Sequence, residues 1–418
     1  MYTTQFHNDK YIQPISSLEP GQIISRDVYN TNGRKLFTTG HTITEKTLRI
    51  LKIWGIRNVY LCEEPAEVIV SKADKNKLAL PVKNSTSAIK ALFVWNDIEK
   101  FPVSYILETC SKLASDTQRT ESYFFPYLLK DNYEDILEGN GEKYIFYEKG
   151  FLINSLPDLF YELVKAQSNI YATSDIVVSI IKKDLILEKD VLAVCNCLIQ
   201  HSHAELSSLY RVTAFLGNKT VLSVAIMILV LRTLRDVTKE ERFTHFGRST
   251  ITTAVAARFI SSSAGIYGSE CFFTSGALMD VGSLLFQLYF PASYEKVRKA
   301  VLSGEEELCA AEERLIGMNH AESGKVLLKQ LGYPVSAEKR IEEHHAPLTG
   351  AIAREQAVLQ VAELLAKSIT FNPAYDVPPV AVDERVWDLL MIKEEMLSGL
   401  METIYRQSEK IIRVVYGE

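Results

Sequence analysis

From Phe151 onward apolar residues recur at spacings of three and four, with hardly a strand candidate among them, and this pattern leaves few folds open. The stretch LPDLFYELVKAQSN sets Leu156, Leu159, Phe160 and Leu163 at helical spacing behind the cap candidates Asn154 and Ser155. ATSDIVVSIIKKDLILEKDVLAVCNCL continues with two more helices. Gly217, Gly265, Gly282, Gly332 and Pro334 fall where helices would end. The expected fold class is mainly α, with a C-terminal bundle of about a dozen helices. The longest apolar run, VLSVAIMILVL at 221–231, is about half a membrane span and is followed by Arg232 and Arg235, so it reads as a buried helix.

The start of the chain has a different period. A short strand (IQPI), the turn Pro20-Gly21, a second strand (QIISRDVY), the turn Asn32-Gly33 and a third strand (KLFTT) are followed by a helix opening at Thr44, with Leu48, Leu51 and Ile53 on its apolar side. Gly55 stops that helix before a last strand, VYLCE. Residues 1–63 therefore read as a small α+β module, and 64–87, a mixture of Pro, Lys, Asp, Asn and Ser, as a linker. Residues 88–148 are helical in character and rich in aromatics, a bridging segment. Residues 371–418 form a helical extension expected to pack on the bundle.

A chain of 418 residues with 47% apolar content can bury more than one core. Its net charge of −6 gives no electrostatic reason to expect nucleic acid or an anionic membrane surface. The six cysteines lack CxxC spacing, and the polar start MYTTQFHNDK lacks the apolar core of a signal peptide, so a cytoplasmic protein is expected.

Candidate chemistry gathers in three helical segments: Asp280 in GALMDVGSLL, His320 in GMNHAESGKVLL, and the adjacent His344 and His345 in RIEEHHAPL. Adjacent residues on a helix point about 100° apart, so such a pair would serve two neighbouring metals, the arrangement a binuclear phosphohydrolase needs, or one metal and a bound anion. The alternative is structural: His344 and His345 cap carbonyls or pair with Glu342 and Glu343, and His320 hydrogen-bonds to Asp280. His201 and His203 read as a solvated loop, and Cys195 and Cys197 as packing residues.

The segments LPDLFYELV, SDIVVSIIKKDLIL with AVCN after it, SSLYRVTAFLGNKTVLSVAIM, TTAVAARFI, GALMDVGSLL, MNHAESGKVLL and IEEHHAPL resemble, in this order, an HDOD domain, the helical signalling relative of the HD phosphohydrolases. The resemblance places that domain at 149–370. Residues 1–63 are similar to the module that precedes many bacterial HD-GYP phosphodiesterases, which implies a bacterial signalling setting. Against an active HD site, His320, His344 and His345 match the later histidines and Asp280 the aspartate of the His-Asp pair, but Met279 stands for its histidine. Arg248 falls near the first histidine, with His245 a turn earlier, and Glu363 replaces the closing aspartate. Ser283 replaces a lysine common in active sequences. Gly332-Tyr333-Pro334 spells GYP but precedes the double histidine instead of following it.

The resemblance therefore implies a non-catalytic signal-transduction protein, its HDOD domain a scaffold for a protein partner or small ligand, with no cofactor. The alternative is a metal-dependent phosphohydrolase or cyclic-dinucleotide phosphodiesterase with a reduced iron or manganese site of Asp280, His320, His344, His345 and Glu363. A third reading makes Arg248 and His344 anion contacts for a nucleotide-type ligand. In the metal-free case Arg248 is expected to face Asp280 and Glu363.

Overall fold

The computed structural model describes residues 11–29, 35–39, 41–53, 56, 58–61, 93–115, 156–199, 205–238, 241–266, 270–348, 353–370 and 375–417. The Asn32-Gly33 turn, Asn154 and Ser155, the 64–87 linker, most of the 88–148 segment and the His201-His203 pair lie outside them. The chain divides into two compact units: 1–78 with 150–156 and 233–239, and the remainder.

In the first unit, β1 (Tyr11–Pro14) pairs antiparallel with β4 (Asn58–Leu61), and β2 (Val28–Tyr29) pairs with β3 (Lys35–Phe37). The expected strand QIISRDVY is shorter than its sequence suggests, with Ile23 and Ile24 in isolated bridges to Thr42 and Leu61. Helix α1 (Glu45–Ile53) begins where Thr44 Oγ1 accepts the Thr47 amide at 3.1 Å, a side-chain N-cap. Its Leu48 and Leu51 close on Ile15, Ile24, Val59 and Leu61. Such burial removes one face of the helix and both ladders from water.

The second unit is helical among the described residues: α2 (Val103–Ser115), α3 (Asp158–Ser168), α4 (Ser174–Ile181), α5 (Leu185–Leu198), α6 (Leu209–Leu216), α7 (Asn218–Thr238), α8 (Glu241–Ser263), α9 (Glu270–Leu278), α10 (Val281–Tyr289), α11 (Pro291–Leu302), α12 (Leu308–Ile316), α13 (His320–Gln330), α14 (Val335–Glu342), α15 (Ala353–Thr370), α16 (Arg385–Leu390) and α17 (Glu394–Tyr416). The mainly α fold class expected from periodicity is the observed one. Caps start these helices where the sequence offers them: Thr173 for α4, Asp184 for α5, Ser208 for α6 and Asn319 for α13 each accept a backbone N–H.

Helix α8 is the axis of the bundle and packs against α9, α15 and α17. Its small residues allow this: Ala254, Ala256 and Ala257 are fully buried, and a Cβ at Gly276 of α9 would stand 2.7 Å from the Thr253 oxygen. Large side chains there would hold the axes apart. The run 221–231 in α7 is buried on all sides, as expected of a core helix. The stretch Cys271–Tyr289, spanning α9 and α10, is long and apolar enough to cross a membrane, and 89% of it is buried within the bundle. Among the described residues no cysteine forms a disulfide. Helix α2 packs on α15, with the Cys110 thiol 3.1 Å from the Ser368 oxygen, and α17 packs on α5 and α8.

Gly217, Gly265 and Gly332 follow helix ends with positive φ, as their spacing predicts. Gly282 does not: it lies inside α10, where a Cβ would collide with the His320 backbone oxygen and the Ser323 hydroxyl. Its missing side chain lets α10 and α13 touch, and this contact sets Asp280 beside His320.

Candidate metal centre

The site is assembled from four places: the break between α9 and α10, the N-terminus of α13, the turn after α14, and the middle of α15. Asp280 occupies the N-cap position of α10, yet its carboxylate makes no cap hydrogen bond. It lies 3.7 Å from His320 Nε2, its side chain 20% exposed, the most open point of the cluster. That distance is too long for the expected His320–Asp280 hydrogen bond. His320 is held from another side: Glu312 of α12 accepts both its backbone N–H at 2.8 Å and its Nδ1–H at 2.7 Å through one oxygen. Glu312 thus caps α13 and turns Nε2 of His320 into the site.

His344 and His345 follow the last residue of α14, in a turn. The 100° separation expected for helical neighbours does not apply there, and both rings reach the same spot. His320 Nε2 is 3.2 Å from His344 Nε2 and 3.0 Å from His345 Nε2. His344 donates Nδ1–H to the Ile341 oxygen at 2.5 Å, so its Nε2 carries a lone pair. His344 thus caps a carbonyl as one expectation had it, but the pairing with Glu342 and Glu343 is not made: Glu342 binds Lys325 at 2.6 Å, and Glu343 meets Lys339 at 3.7 Å.

Helix α15 closes the site. Every residue from Gln356 to Thr370 is buried, and four of them, Gln356, Gln360, Glu363 and Lys367, form a polar stripe at spacings of four, three and four. Gln360 donates to the Ala346 oxygen at 3.1 Å and Gln356 to Glu343 at 3.4 Å, pinning the histidine turn. Glu363 stands 3.7 Å from His345 Nε2 and accepts from Lys367 Nζ at 2.5 Å.

The electrostatics follow from burial and from this charge set. Burial opposes ionisation of Asp280, but Lys367, His320 and His344 outweigh it and hold the carboxyl below its ordinary value. Burial pushes Glu363 up against the pull of Lys367. Burial also works against a charged His320, yet Glu312, Asp280 and Glu363 together raise it. Burial and the charge of His320 push His344 down to about 4, and His345 goes well below its usual value for the same reasons. Burial opposes the charge of Lys367, but Glu363 and Asp280 raise it, so it stays an ammonium.

Two corrections concern Arg248 and His344. Arg248 does not supply the cation opposite the carboxylates. It pairs with Glu409 of α17 at 3.3 Å, and the cation acting on Asp280 and Glu363 is Lys367. His344 aims a lone pair at the cluster while its N–H is spent on a carbonyl, so it is a poor anion contact. Ser283 is buried in the first turn of α10, and Met279 is fully buried core.

The residues present fit a divalent metal ion. Two nitrogen ligands at about 2.0–2.1 Å from one ion are separated by about 2.9–3.4 Å, and the Nε2 separations here are 3.0 and 3.2 Å. Three facing imidazole lone pairs repel unless a proton or cation lies between them. Glu312 and the Ile341 carbonyl fix the tautomers that aim Nε2 inward, as outer partners of metal-bound histidines do. Asp280, His320 and His344 bring ligand atoms within 4.8 Å of one another, as do His344, His345 and Glu363. Cys309 joins His320 and His345 in the same way, a thiol not singled out from sequence. Imidazole and carboxylate together suit iron, manganese or zinc.

Residues 153–347 match the HDOD domain family. No curated protein sequence matches the chain. A protein of Shewanella amazonensis SB2B, named provisionally a phosphohydrolase, is similar in structure at 19% identity, with 65% of this chain and 97% of that one covered and a TM-score of 0.51. An HDOD domain protein of unknown function from Geobacter sulfurreducens is similar at 17% identity, with 62% and 92% covered and a TM-score of 0.51. A protein of Marinobacter aquaeolei VT8, named provisionally a signal transduction protein, aligns at 15% identity over 79% of this chain and 68% of that one, with a TM-score of 0.49. At such identities the likeness bears on the fold alone, and the similarity of this chain to HDOD domains rests on the family match over residues 153–347.

Proposed function

We propose that this is a non-catalytic bacterial signal-transduction protein whose HDOD domain is a regulatory scaffold, with a histidine cluster that holds a single divalent metal ion. The observation that carries this reading is the Lys367 ammonium on Glu363, 2.5 Å away inside a buried helix. Binuclear hydrolysis uses two ions about 3.5–4 Å apart to clamp the attacking and leaving oxygens. Here a fixed positive side chain already occupies the carboxylate that a second ion would need, and Met279 offers it no harder donor.

Charge supports one ion as well. With neutral imidazoles, the carboxylates of Asp280, Glu312 and Glu363 against the single ammonium of Lys367 leave two negative charges, which one divalent ion balances. The partners of such a scaffold are proteins of a cytoplasmic signalling pathway, and residues 1–63 offer a second contact surface.

The three convergent Nε2 atoms favour one other reading, a metal-dependent phosphohydrolase or cyclic-dinucleotide phosphodiesterase working with a reduced site. Elemental analysis after incubation with iron and manganese, followed by assays on phosphomonoesters and cyclic dinucleotides, separates the two. One equivalent of metal and no turnover is the expected result. Two equivalents with turnover that is lost in His345→Ala establishes the hydrolase.

A further inference from the structure

We propose that the cavity enclosed by α3, α7, α9, α13 and α14 binds a small organic anion with an apolar body, no larger than a mononucleotide. The cavity is about 330 Å³ in volume and shares no residue with the histidine cluster. That volume is at the small end of ligand pockets, which run from about 300 to 1,000 Å³.

Charge decides the sign of the ligand. Lys219 and Arg340 line the cavity and no aspartate or glutamate does, in a chain whose net charge is −6. The Lys219 ammonium is held by the main-chain oxygens of Gln167 and Asn169, neutral acceptors that leave its charge uncompensated. Arg340 is fixed by Nε–H donation to Ser275 Oγ at 3.1 Å, and its contact with Glu355 is a long 3.5 Å. The start of α14, where Pro334 provides no side-chain cap, lines the same cavity, with Ser336 in its wall. Two cations and the positive end of a helix dipole together favour a carboxylate or phosphate.

The rest of the wall decides the body of the ligand. Leu278, Leu328 and Ile341 supply apolar surface. Among the described residues, two wall residues carry buried polar atoms with no hydrogen-bond partner: the phenolic oxygen of Tyr333, a residue 6% exposed, and Oε1 of Gln167, whose amide donates to Ser223 and Thr274. Neither atom is exposed at the cavity surface, so a ligand meets the Tyr333 ring and the Gln167 stem rather than these atoms. Tyr333 and Pro334 of the Gly332-Tyr333-Pro334 tripeptide, which has no role in the histidine cluster, line this cavity at the entry to α14.

The test titrates the full-length protein with 1-anilinonaphthalene-8-sulfonate, an anion with an apolar body, and follows fluorescence. Saturable binding at one site is expected, at least tenfold weaker in Lys219→Met and in Ala337→Phe, which fills the cavity. Circular dichroism of both variants checks folding, and Ala337→Phe carries the test if loss of the Lys219 tie unfolds the other. Adenosine monophosphate and phenylacetate are then added as competitors, and the one that displaces the probe identifies a phosphate or a carboxylate head group. Absence of saturable binding, equal affinity in the wild type and the folded variants, or failure of both competitors overturns the proposal.

Discussion

Lys367 donates to Glu363 one turn earlier on the same helix, at 2.5 Å, with both side chains less than a tenth exposed. A cation and an anion buried together are each other's main compensation, and removing one leaves the other stranded. Lys367→Met should therefore destabilise the metal-free protein by roughly 3–5 kcal/mol, read by urea denaturation in the presence of a chelator. It should also release Glu363 for a second ion, so that metal content rises towards two equivalents. If Lys367→Met is as stable as the wild type and its metal content is unchanged, Lys367 does not hold the place assigned to it.

Glu312 fixes the His320 ring from behind. Glu312→Gln keeps the shape but weakens the acceptor for Nδ1–H, and changes of this kind typically lower metal affinity about 10–100-fold. His345→Ala removes a donor outright and should lose more. Competition with a calibrated chelator measures both, and an affinity unchanged in Glu312→Gln would mean that the ring is held by something else.

Gly282 sits where α10 and α13 touch. Gly282→Ala must push the helices apart, and overpacking of this kind costs about 1–3 kcal/mol. Because the same contact sets Asp280 beside His320, metal affinity should fall with stability. A variant that loses neither, by denaturation and chelator competition, would show that the helices separate without cost.

The metal-free protein should be most stable near pH 6.5. His344 is pushed down to about 4 from 6.5, so as pH falls below 6.5 the unfolded chain takes up a proton that the folded chain refuses. Stability then falls towards pH 4, by ~3 kcal/mol from this residue. His320 is raised, so its contribution is present below 6.5 and lost as pH rises through its folded value. Manganese should oppose that alkaline loss, since the ion and the proton compete for the same nitrogen. Denaturation between pH 4.5 and 8.5, with and without chelator, reads both limbs, and an acid limb unchanged in His344→Gln counts against the assignment.

Arg248 belongs to a different contact. Arg248→Ala should loosen α17 by about 1 kcal/mol or less, as expected of a partly exposed ion pair, while metal content stays the same. Loss of metal in this variant would return Arg248 to the site.

Helical periodicity after Phe151 and the turn glycines 217, 265 and 332 were readable from the chain, because each acts on neighbours within one or two turns, whereas the caps Asp184 and Asn319 emerged only with the helices they start. Asp280, His320, His344, His345 and Glu363 were also nameable in advance, since their spacing in the chain resembles a known pattern. How they meet was not. That His344 and His345 converge depends on where α14 ends, and that Arg248 serves α17 depends on which helix packs beside it. Of the stripe Gln356, Gln360, Glu363 and Lys367 only Glu363 was singled out in the chain, because only packing on all sides turns polar residues at helical spacing into a buried clamp. Local propensity sets the helices, whereas the partner of a buried charge is chosen by residues tens of positions away in sequence. That choice, here Lys367 for Glu363 and Glu312 for His320, exists only once the bundle has closed.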